Sequence, residues 1–503
     1  MDRVRATETG LLADALTAAG HHLPMPCRGR HTCGKCGVYV AGETEPPGAQ
    51  EAALLTSIPQ PPLPGFVLRL ACLCRVRGEV AIVVSSISGV AVADVGLGVA
   101  DYDGDDPSSL GCAIDIGTTT VTVLLFRLGD RERLADVSEL NHQTVHGSDV
   151  LSRIDAANQL GVAVLRRLIV DQLNAMLAKV LAAANVRPEE VTRVTVTGNT
   201  TMMHLLMGLP VVSLGVYPFT PVTLFGKSLP AANVLAPLVD AELYLPPGVS
   251  AYVGPDIVCG VLATGLGLGG QPELLVDIGT NGEMALAAHG DLWCCSTAAG
   301  PAFEGAEISA GMPALPGAIE DVWVSGDGPR YDTIGHQPPK GLCGTGLVGA
   351  VDAFLDLGII DETGAMETAS VDIGRSGIGL TRADVRQLQL AKAAIAAGID
   401  TLVDEAGLRM GDLARLHLAG GFGSYLQPRP AVGIGLIPGV LAGKAEPAGN
   451  SALAGAVLLT LSAAARGMAE ERARSAREVA LSTHPVFMER YIENMAFRGG
   501  PDG

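Results

Sequence analysis

The 503-residue sequence is short of positive charge. Lys and Arg number 34 against 53 Asp and Glu, a formal charge of −19 with a pI near 4.9. That balance excludes a protein whose main task is to grip a phosphate backbone, so no nucleic-acid partner is expected. The chain also lacks any run of 18 apolar residues. Its best candidate, residues 451–465, ends at Arg466 and is too short to cross a bilayer. The opening MDRVRATETG has no apolar stretch of the kind an export signal needs. A soluble, cytoplasmic protein without membrane contact is the expectation. Charged residues are few, at 17%, while hydrophobic ones reach 48%. A disordered chain is thereby excluded and a large packed core is within reach. Glycine occupies 64 positions without a triplet period, so its use is assigned to tight turns and close backbone approaches.

What the sequence does have is cysteine concentrated at one end. Five of its ten cysteines, at 27, 33, 36, 72 and 74, fall in the first 75 residues. Without an export signal, such crowding points to metal binding rather than disulfides. Cys27, Cys33 and Cys36 form C-x5-C-x2-C, and Cys72 follows after 35 intervening residues. The plant-type 2Fe-2S pattern, C-x4-C-x2-C with a distant fourth Cys, is close to this. Three thiolates in one loop let backbone N–H groups point at the sulfurs, and Gly29, Gly34 and Gly37 permit that close approach. A four-Cys zinc site is the alternative, although it usually arrives as two C-x2-C pairs. Cys112, Cys259, Cys294, Cys295 and Cys343 sit in apolar or glycine-rich contexts and read as core or turn cysteines. Arg28, Arg30 and Lys35 interleave with the ligands, as a solvated rim or as a docking face for an acidic electron donor or acceptor.

Charge divides the chain into three parts. Residues 1–85 carry +1, residues 86–110 carry −5 with no basic residue, and the remainder carries −15. The middle stretch reads as an acidic flexible linker. From residue 111 onward, short apolar β-type runs at 113–116, 194–197, 274–278 and 416–419 alternate with helical patterns at 163–184 and 383–406. This alternation predicts an α/β architecture. Thr381 and Asp384 have the spacing of a helix-capping pair.

An internal repeat carries the chemistry of this segment. Asp115-Ile-Gly-Thr recurs 162 residues later as Asp277-Ile-Gly-Thr, each copy directly after an apolar strand. The repeat predicts two similar halves facing one another, here 111–270 and 271–503. In Asp115-Ile-Gly117-Thr118-Thr119-Thr120 and Asp277-Ile-Gly279-Thr280-Asn281-Gly282 the glycine lets phosphate approach the backbone, and hydroxyls and N–H groups supply donors. The aspartates can orient Mg²⁺ through its waters. Leu418-Ala-Gly420-Gly421-Phe-Gly423-Ser424 is a strand running into a glycine turn on which an adenosine could lie flat. These three elements resemble the two phosphate motifs and the adenosine motif of the actin, Hsp70 and sugar-kinase superfamily. Gly341-Leu-Cys-Gly344-Thr345-Gly346 resembles that superfamily's connecting segment, though a plain helix cap would serve as well. Asp256, in Val253-Gly-Pro-Asp256, opens a helix as a cap or as a third acidic group of the cleft. Glu283 and Glu304 are candidates to face the cleft, and His204 reads as a buried core histidine.

A ferredoxin-like module fused to such a domain resembles the reductive activators of corrinoid proteins. The stretches GSDVLSRI, TGNTTMMHLLMG, DIGTNGEMAL, GPAFEGAEISAGM and LAGGFGSYL, in this order, are similar to that family. The stretch Arg69-Leu-Ala-Cys72 resembles the surroundings of the fourth ligand in ferredoxin-like modules, which implies Cys72 rather than Cys74. The resemblance implies a β-grasp α+β cluster module followed by a two-lobed actin-like ATPase domain with ribonuclease H-like halves. It implies ATP, Mg²⁺ and a 2Fe-2S cluster as cofactors. Its activity would be ATP-dependent reduction of Co(II) to Co(I) in a corrinoid protein of a methyltransferase system, supplied by an upstream electron donor. Asp115, Asp277 and Asp256 would be the catalytic carboxylates. A homodimer is also implied, but longer family members place a small domain between module and ATPase, and the 25 residues of 86–110 leave no room for it. A nucleotide-switched, chaperone-like binder of a corrinoid protein, with the cluster as redox sensor, is the rival reading. A simple kinase gives the fused cluster no purpose.

Overall fold

The computed structural model describes residues 2–18, 31, 36–55, 65–84, 102–104, 106–147, 149–305, 307–326 and 328–497. The chain divides into two compact units, 1–94 and 95–503.

In the first unit, strands β1 (Asp2–Leu11), β2 (Gly37–Ala41), β3 (Val67–Leu70) and β4 (Arg75–Val84) form an antiparallel sheet in the order β1-β4-β2-β3. Two short helices, α1 (Leu12–Ala18) and α2 (Ala49–Leu55), accompany it. Leu12, Leu16, Val38, Val40, Leu68, Leu70, Val76 and Ile82 make its core. A buried ion pair braces the module: Glu51 accepts from both Nε and Nη2 of Arg69, at 2.8 and 2.9 Å, and from the backbone of Leu70 at 2.9 Å. Thr44 and the Glu45 carbonyl take the remaining guanidinium nitrogen, so each nitrogen of this buried charge has an acceptor, the condition under which such a pair is tolerated.

The second unit contains the predicted duplication. Strands β5 (Leu110–Ile116), β6 (Thr120–Arg127), β7 (Arg133–Leu140), β8 (Val191–Gly198), β9 (Lys227–Pro230) and β10 (Glu242–Leu245) form a six-stranded sheet ordered β7-β6-β5-β8-β10-β9. Here β5, β6 and β7 are antiparallel neighbours, while β8 runs parallel to β5. The second lobe starts with β11 (Glu273–Ile278), β12 (Gly282–Ala288) and β13 (Asp291–Thr297). An inserted sheet follows, β14 (Ala318–Ser325), β15 (Gly328–Thr333) and β16 (Gly341–Leu342), then a small hairpin, β17 (Ser370–Asp372) and β18 (Gly379–Thr381). Strands β19 (Arg415–Ala419), β20 (Ala445–Gly449) and β21 (Arg477–Glu478) complete the main sheet, ordered β20-β19-β11-β12-β13-β21. Both lobes therefore pair an antiparallel three-strand meander with parallel strands on its first member, the ribonuclease H-like plan.

Helices cover these sheets: α3 (Val150–Leu160), α4 (Val162–Ala184) and α5 (Thr200–Met207) on the first lobe, α6 (Pro255–Thr264) between the sheets, and α7 (Gly344–Asp356) and α8 (Arg382–Glu405) on the second. Thr381 and Asp384 form the capping box of α8. The apolar run after residue 450 is a buried helix, Ser451–Leu461, packed against α6, β5 and β8 rather than against its own lobe's sheet. A methyl group on Gly455 would lie 2.2 Å from the Cys259 carbonyl, so glycine is required where these two helices cross. Among the described residues no helix is long and apolar enough to cross a membrane.

The end of the predicted linker is not free. Asp103 accepts from Arg193 at 2.6 Å and from the backbone of Ala463, and Tyr102 lies under the Arg193 guanidinium at 5.0 Å. Residues 102–104 are thus pinned to the second unit, through Arg193 and Ala463, which shortens the acidic stretch that can act as a tether. The linker's remaining residues through 101 lie outside the described residues.

Candidate functional site

Two sites emerge, one in each unit. Cys36 immediately precedes β2, and Cys72 lies in the turn between β3 and β4; both are buried, with Sγ atoms 3.2 Å apart. That separation exceeds the ~2.05 Å of a disulfide and suits two thiolates converging on one iron. The turn is held by Ala71 N–H donating to Cys36 O at 2.8 Å and by Cys74 N–H donating to Leu70 O at 2.7 Å. The Sγ of Cys74 lies 3.9 Å from the Arg75 carbonyl, and burial pushes its thiol up to about 11. Cys27 and Cys33 lie outside the described residues. Cys112, Cys259, Cys294, Cys295 and Cys343 are all buried in the second unit.

In that unit, both D-I-G-T copies are hairpin turns, β5 to β6 and β11 to β12. Gly117 N–H donates to Thr120 O and Gly279 N–H to Asn281 O, both at 2.9 Å. Asp115 and Asp277 are each the penultimate residue of their strand, half-buried beside the turn. Burial raises Asp115 to about 6, against a 2.8 Å hydrogen bond from Asn450 that favours its charge. Burial and then the Asp115 charge raise Asp277 to about 7. Asp256 is raised to about 8, first by burial and then by Asp277. It is not the helix cap, since Gly254 holds that position. Glu283, hydrogen-bonded by Asn281 at 3.1 Å, is raised well above the usual carboxylate range by burial, Asp256 and Asp277. Four carboxyls thus oppose one another's ionisation, an arrangement that a divalent cation would relieve.

The predicted phosphate donors converge across the cleft. Thr119 and Thr280 hydroxyls lie 3.3 Å apart, and both donate to the carboxylate of Glu304. Behind the first turn stand side chains that were not among the candidate site residues, although Arg153 and Asn199 fall within the stretches GSDVLSRI and TGNTTMMHLLMG. Asn141 donates to Gly117 O at 2.9 Å, Asn199 to the Thr118 hydroxyl at 3.0 Å, and the wholly buried Arg153 to Thr118 O. Arg153 had a sequence signal: with Val150, Ile154 and Ala157 it occupies the buried stripe of α3. Asn199 both caps α5 and reaches Thr118, a second duty its capping position conceals.

The glycine turn after β19 closes the other side. Gly420, at φ +87°, lies against Asp277, where a methyl group would come within 2.5 Å of Oδ1. Gly421 faces open space, and Gly423 packs on Ile278. Phe422 stacks on Phe303, centroids 4.6 Å apart, joining this turn to the one that carries Glu304. Gly344 and Thr345 have structural partners here. A methyl on Gly344 would overlap the Phe303 carbonyl at 1.9 Å, and the Thr345 hydroxyl donates to Glu320 O at 2.8 Å. His204 is a core residue, held between the Thr200 carbonyl at 2.7 Å and the Val222 N–H at 3.2 Å.

Comparison with known proteins agrees with this division. Residues 3–77 match the model of the 2Fe-2S iron-sulfur cluster binding domain, 110–268 the RACo middle region, and 271–500 the C-terminal domain of RACo, the ASKHA domain. Over 418 residues the chain is 32% identical to the corrinoid activation enzyme RamQ of Eubacterium limosum, covering 77% of this chain and 70% of that one. The chain belongs to the family of reductive activators of corrinoid proteins. Another member, the [Co(II) methylated amine-specific corrinoid protein] reductase of Methanosarcina barkeri, is 28% identical over 376 residues, 68% of each chain. A solved structure described as a reductive activator for corrinoid, iron-sulfur protein superposes with a TM-score of 0.72 at 28% identity, covering 99% of this chain and 98% of that one. The family's fold, a ferredoxin-like module followed by an actin-like domain, is the one described above.

Proposed function

We propose that this protein is an ATP-hydrolysing reductive activator. In this reading Cys27, Cys33, Cys36 and Cys72 hold a 2Fe-2S cluster, and one electron passes from it to a corrinoid protein of a methyltransferase system, taking Co(II) to Co(I). The observation that carries the reading is that one chain joins a paired-thiol turn, Cys36 and Cys72, to a cleft whose Thr119 and Thr280 donors meet over a carboxylate floor. Residues 1–85 are the cluster module, 86–110 the connection, and 111–503 the ATPase, with lobes at about 111–270 and 271–503.

The donor set fits each cofactor. Gly117, Thr118, Thr119, Gly279, Thr280 and Asn281 surround the phosphates, Gly420, Gly421 and Gly423 the adenosine, and Gly344 and Thr345 support that wall from behind. Asp115, Asp256 and Asp277 would hold Mg²⁺ through its waters. When bound, the cluster supplies a one-electron carrier near −400 mV. Cobalt couples below that value make the transfer uphill; a 100 mV shortfall is a factor of roughly fifty at about 59 mV per decade. Nucleotide can offset this only by differential affinity for two conformations of the complex. The two lobes, each carrying one phosphate turn, are the parts that can differ between them. The electron would be supplied by an upstream reductase or ferredoxin.

Anaerobic, dithionite-reduced protein should give a 2Fe-2S EPR signal accounting for most of its iron. Cys36→Ala and Asp277→Asn should each abolish ATP-dependent Co(I) formation, read at the corrinoid's absorbance. Co(I) formation surviving either change refutes the proposal. ATP-dependent partner release that persists without the cluster would favour the nucleotide-switched binder.

A further inference from the structure

Glu304 stands on a short turn, Pro301–Glu304, and its carboxylate lies where an anion would be expected to bind. The Thr280 hydroxyl donates to both of its oxygens, at 3.1 and 3.0 Å, and the Thr119 hydroxyl of the opposite lobe donates to Oε2. Burial raises the Glu304 carboxyl above its usual range, and the hydroxyl bonds, the Thr280 backbone N–H and the Arg153 charge behind the first turn all act against that rise. Gly279 leaves the approach open: a methyl built there would still lie 3.9 Å from Glu304 Oε1. One side chain thus satisfies donors of both phosphate turns at once. An acidic residue in a cradle of hydroxyl and backbone donors is filling an anion site. The surroundings make the choice unusual, because the floor beneath already holds four mutually repelling carboxyls.

Building on the nucleotide cleft proposed above, we propose that Glu304 is an internal stand-in for the terminal phosphate of the nucleotide, bridging the two turns until a triphosphate takes over their hydroxyl donors. Binding of a triphosphate then requires Glu304 to give up Thr119 and Thr280, whereas a diphosphate, without the terminal group, leaves the bridge in place. The Phe303–Phe422 stack ties the displaced turn to the adenosine side of the cleft, so expulsion of Glu304 is felt where the base is held. The substitution of one anion for another is what makes the cleft distinguish ATP from ADP.

Calorimetric titration with AMP-PNP and with ADP, each with Mg²⁺, tests this on the full chain. Glu304→Gln removes the charge at constant size, and Glu304→Asp shortens the arm so that it cannot span both turns. Each should tighten AMP-PNP by about tenfold, the weight of one charge-assisted hydrogen bond, with ADP changed less than twofold. Unchanged melting temperatures show that both variants are folded. An AMP-PNP to ADP affinity ratio equal to that of the unmodified protein in both variants overturns the inference, as does a weaker AMP-PNP complex. Unmodified protein that binds neither nucleotide would remove the nucleotide reading itself, and this inference with it.

Discussion

The two phosphate turns share four letters and one backbone shape, yet they are supported in opposite ways. The first, after β5, is backed by donors: Asn141 on Gly117 O, Asn199 on the Thr118 hydroxyl, Arg153 on Thr118 O and Asn450 on Asp115. The second, after β11, is backed by acids, with Glu283 beside Asn281 and Glu304 on Thr280. The first turn is therefore backed mainly by donors and the second mainly by acids, with Glu304 shared between them through Thr119. A repeated motif reproduces local geometry. The electrostatic role of each copy belongs to its surroundings.

The comparison breaks most visibly at Arg153. Its guanidinium is buried, burial lowers its pKa to about 10, and among the described residues no carboxylate is hydrogen-bonded to it. Arg153→Met should leave the Thr118 and Gly147 carbonyls without their donors. A loss of about 3 kcal/mol in urea unfolding is expected, from two or more unmet buried groups at roughly 1–3 kcal/mol each. An unchanged midpoint would mean that the first turn does not depend on this donor.

The acidic side is sharpened by pH. Asp115, Asp277 and Asp256 have folded-state values raised above the unfolded one, to about 6, 7 and 8. The folded chain therefore holds more protons than the unfolded chain between about pH 4 and 8, and stability falls as pH rises through that window. Metal-free protein should become measurably less stable from pH 6 to pH 8, with Asp256 and Asp277 contributing most. Asp256→Asn should flatten this slope, and Mg²⁺ should oppose it. A slope identical in the variant would place the titration elsewhere.

Smaller effects separate the turns further. Thr118→Val removes the acceptor of Asn199 and should cost about 1 kcal/mol, measured by the same unfolding curve. Phe422→Leu loses the stack on Phe303 and should cost a similar ~1 kcal/mol, while weakening adenine-nucleotide binding more than it shifts the melting temperature. If binding is untouched, the stack serves the fold alone.

Much of this architecture was legible before any coordinates. The strands at 113–116 and 274–278 extend by only a few residues, and the Thr381–Asp384 cap forms as its spacing required. Cys36 and Cys72 meet although 36 positions apart, because β2 and β3 pair from Gly37 to Leu70 and bring their ends together. The pinning of Asp103 by Arg193 and Ala463 is not legible in the acidic stretch itself, because it comes from residues 90 and 360 positions away. Gly344 and Thr345 belong to the stretch that resembles the superfamily's connecting segment, and their close contacts are with Phe303 and Glu320; composition cannot tell a glycine that admits phosphate from one that admits another backbone.

By itself the sequence determined what short-range physics controls: the alternation that makes two α/β lobes, the glycine turns after two apolar strands, the thiol loop, and the order of motifs that marks the family. Only the tertiary structure decided which groups face each other. Asn450 reaches Asp115 across 335 positions, and Glu304 reaches Thr119 across 185. Such pairings have no periodicity and no local propensity. They come into being when two sheets bury their faces against the helices between them, and that packing sets which charges are stranded, which are matched, and where an incoming phosphate finds its place already taken.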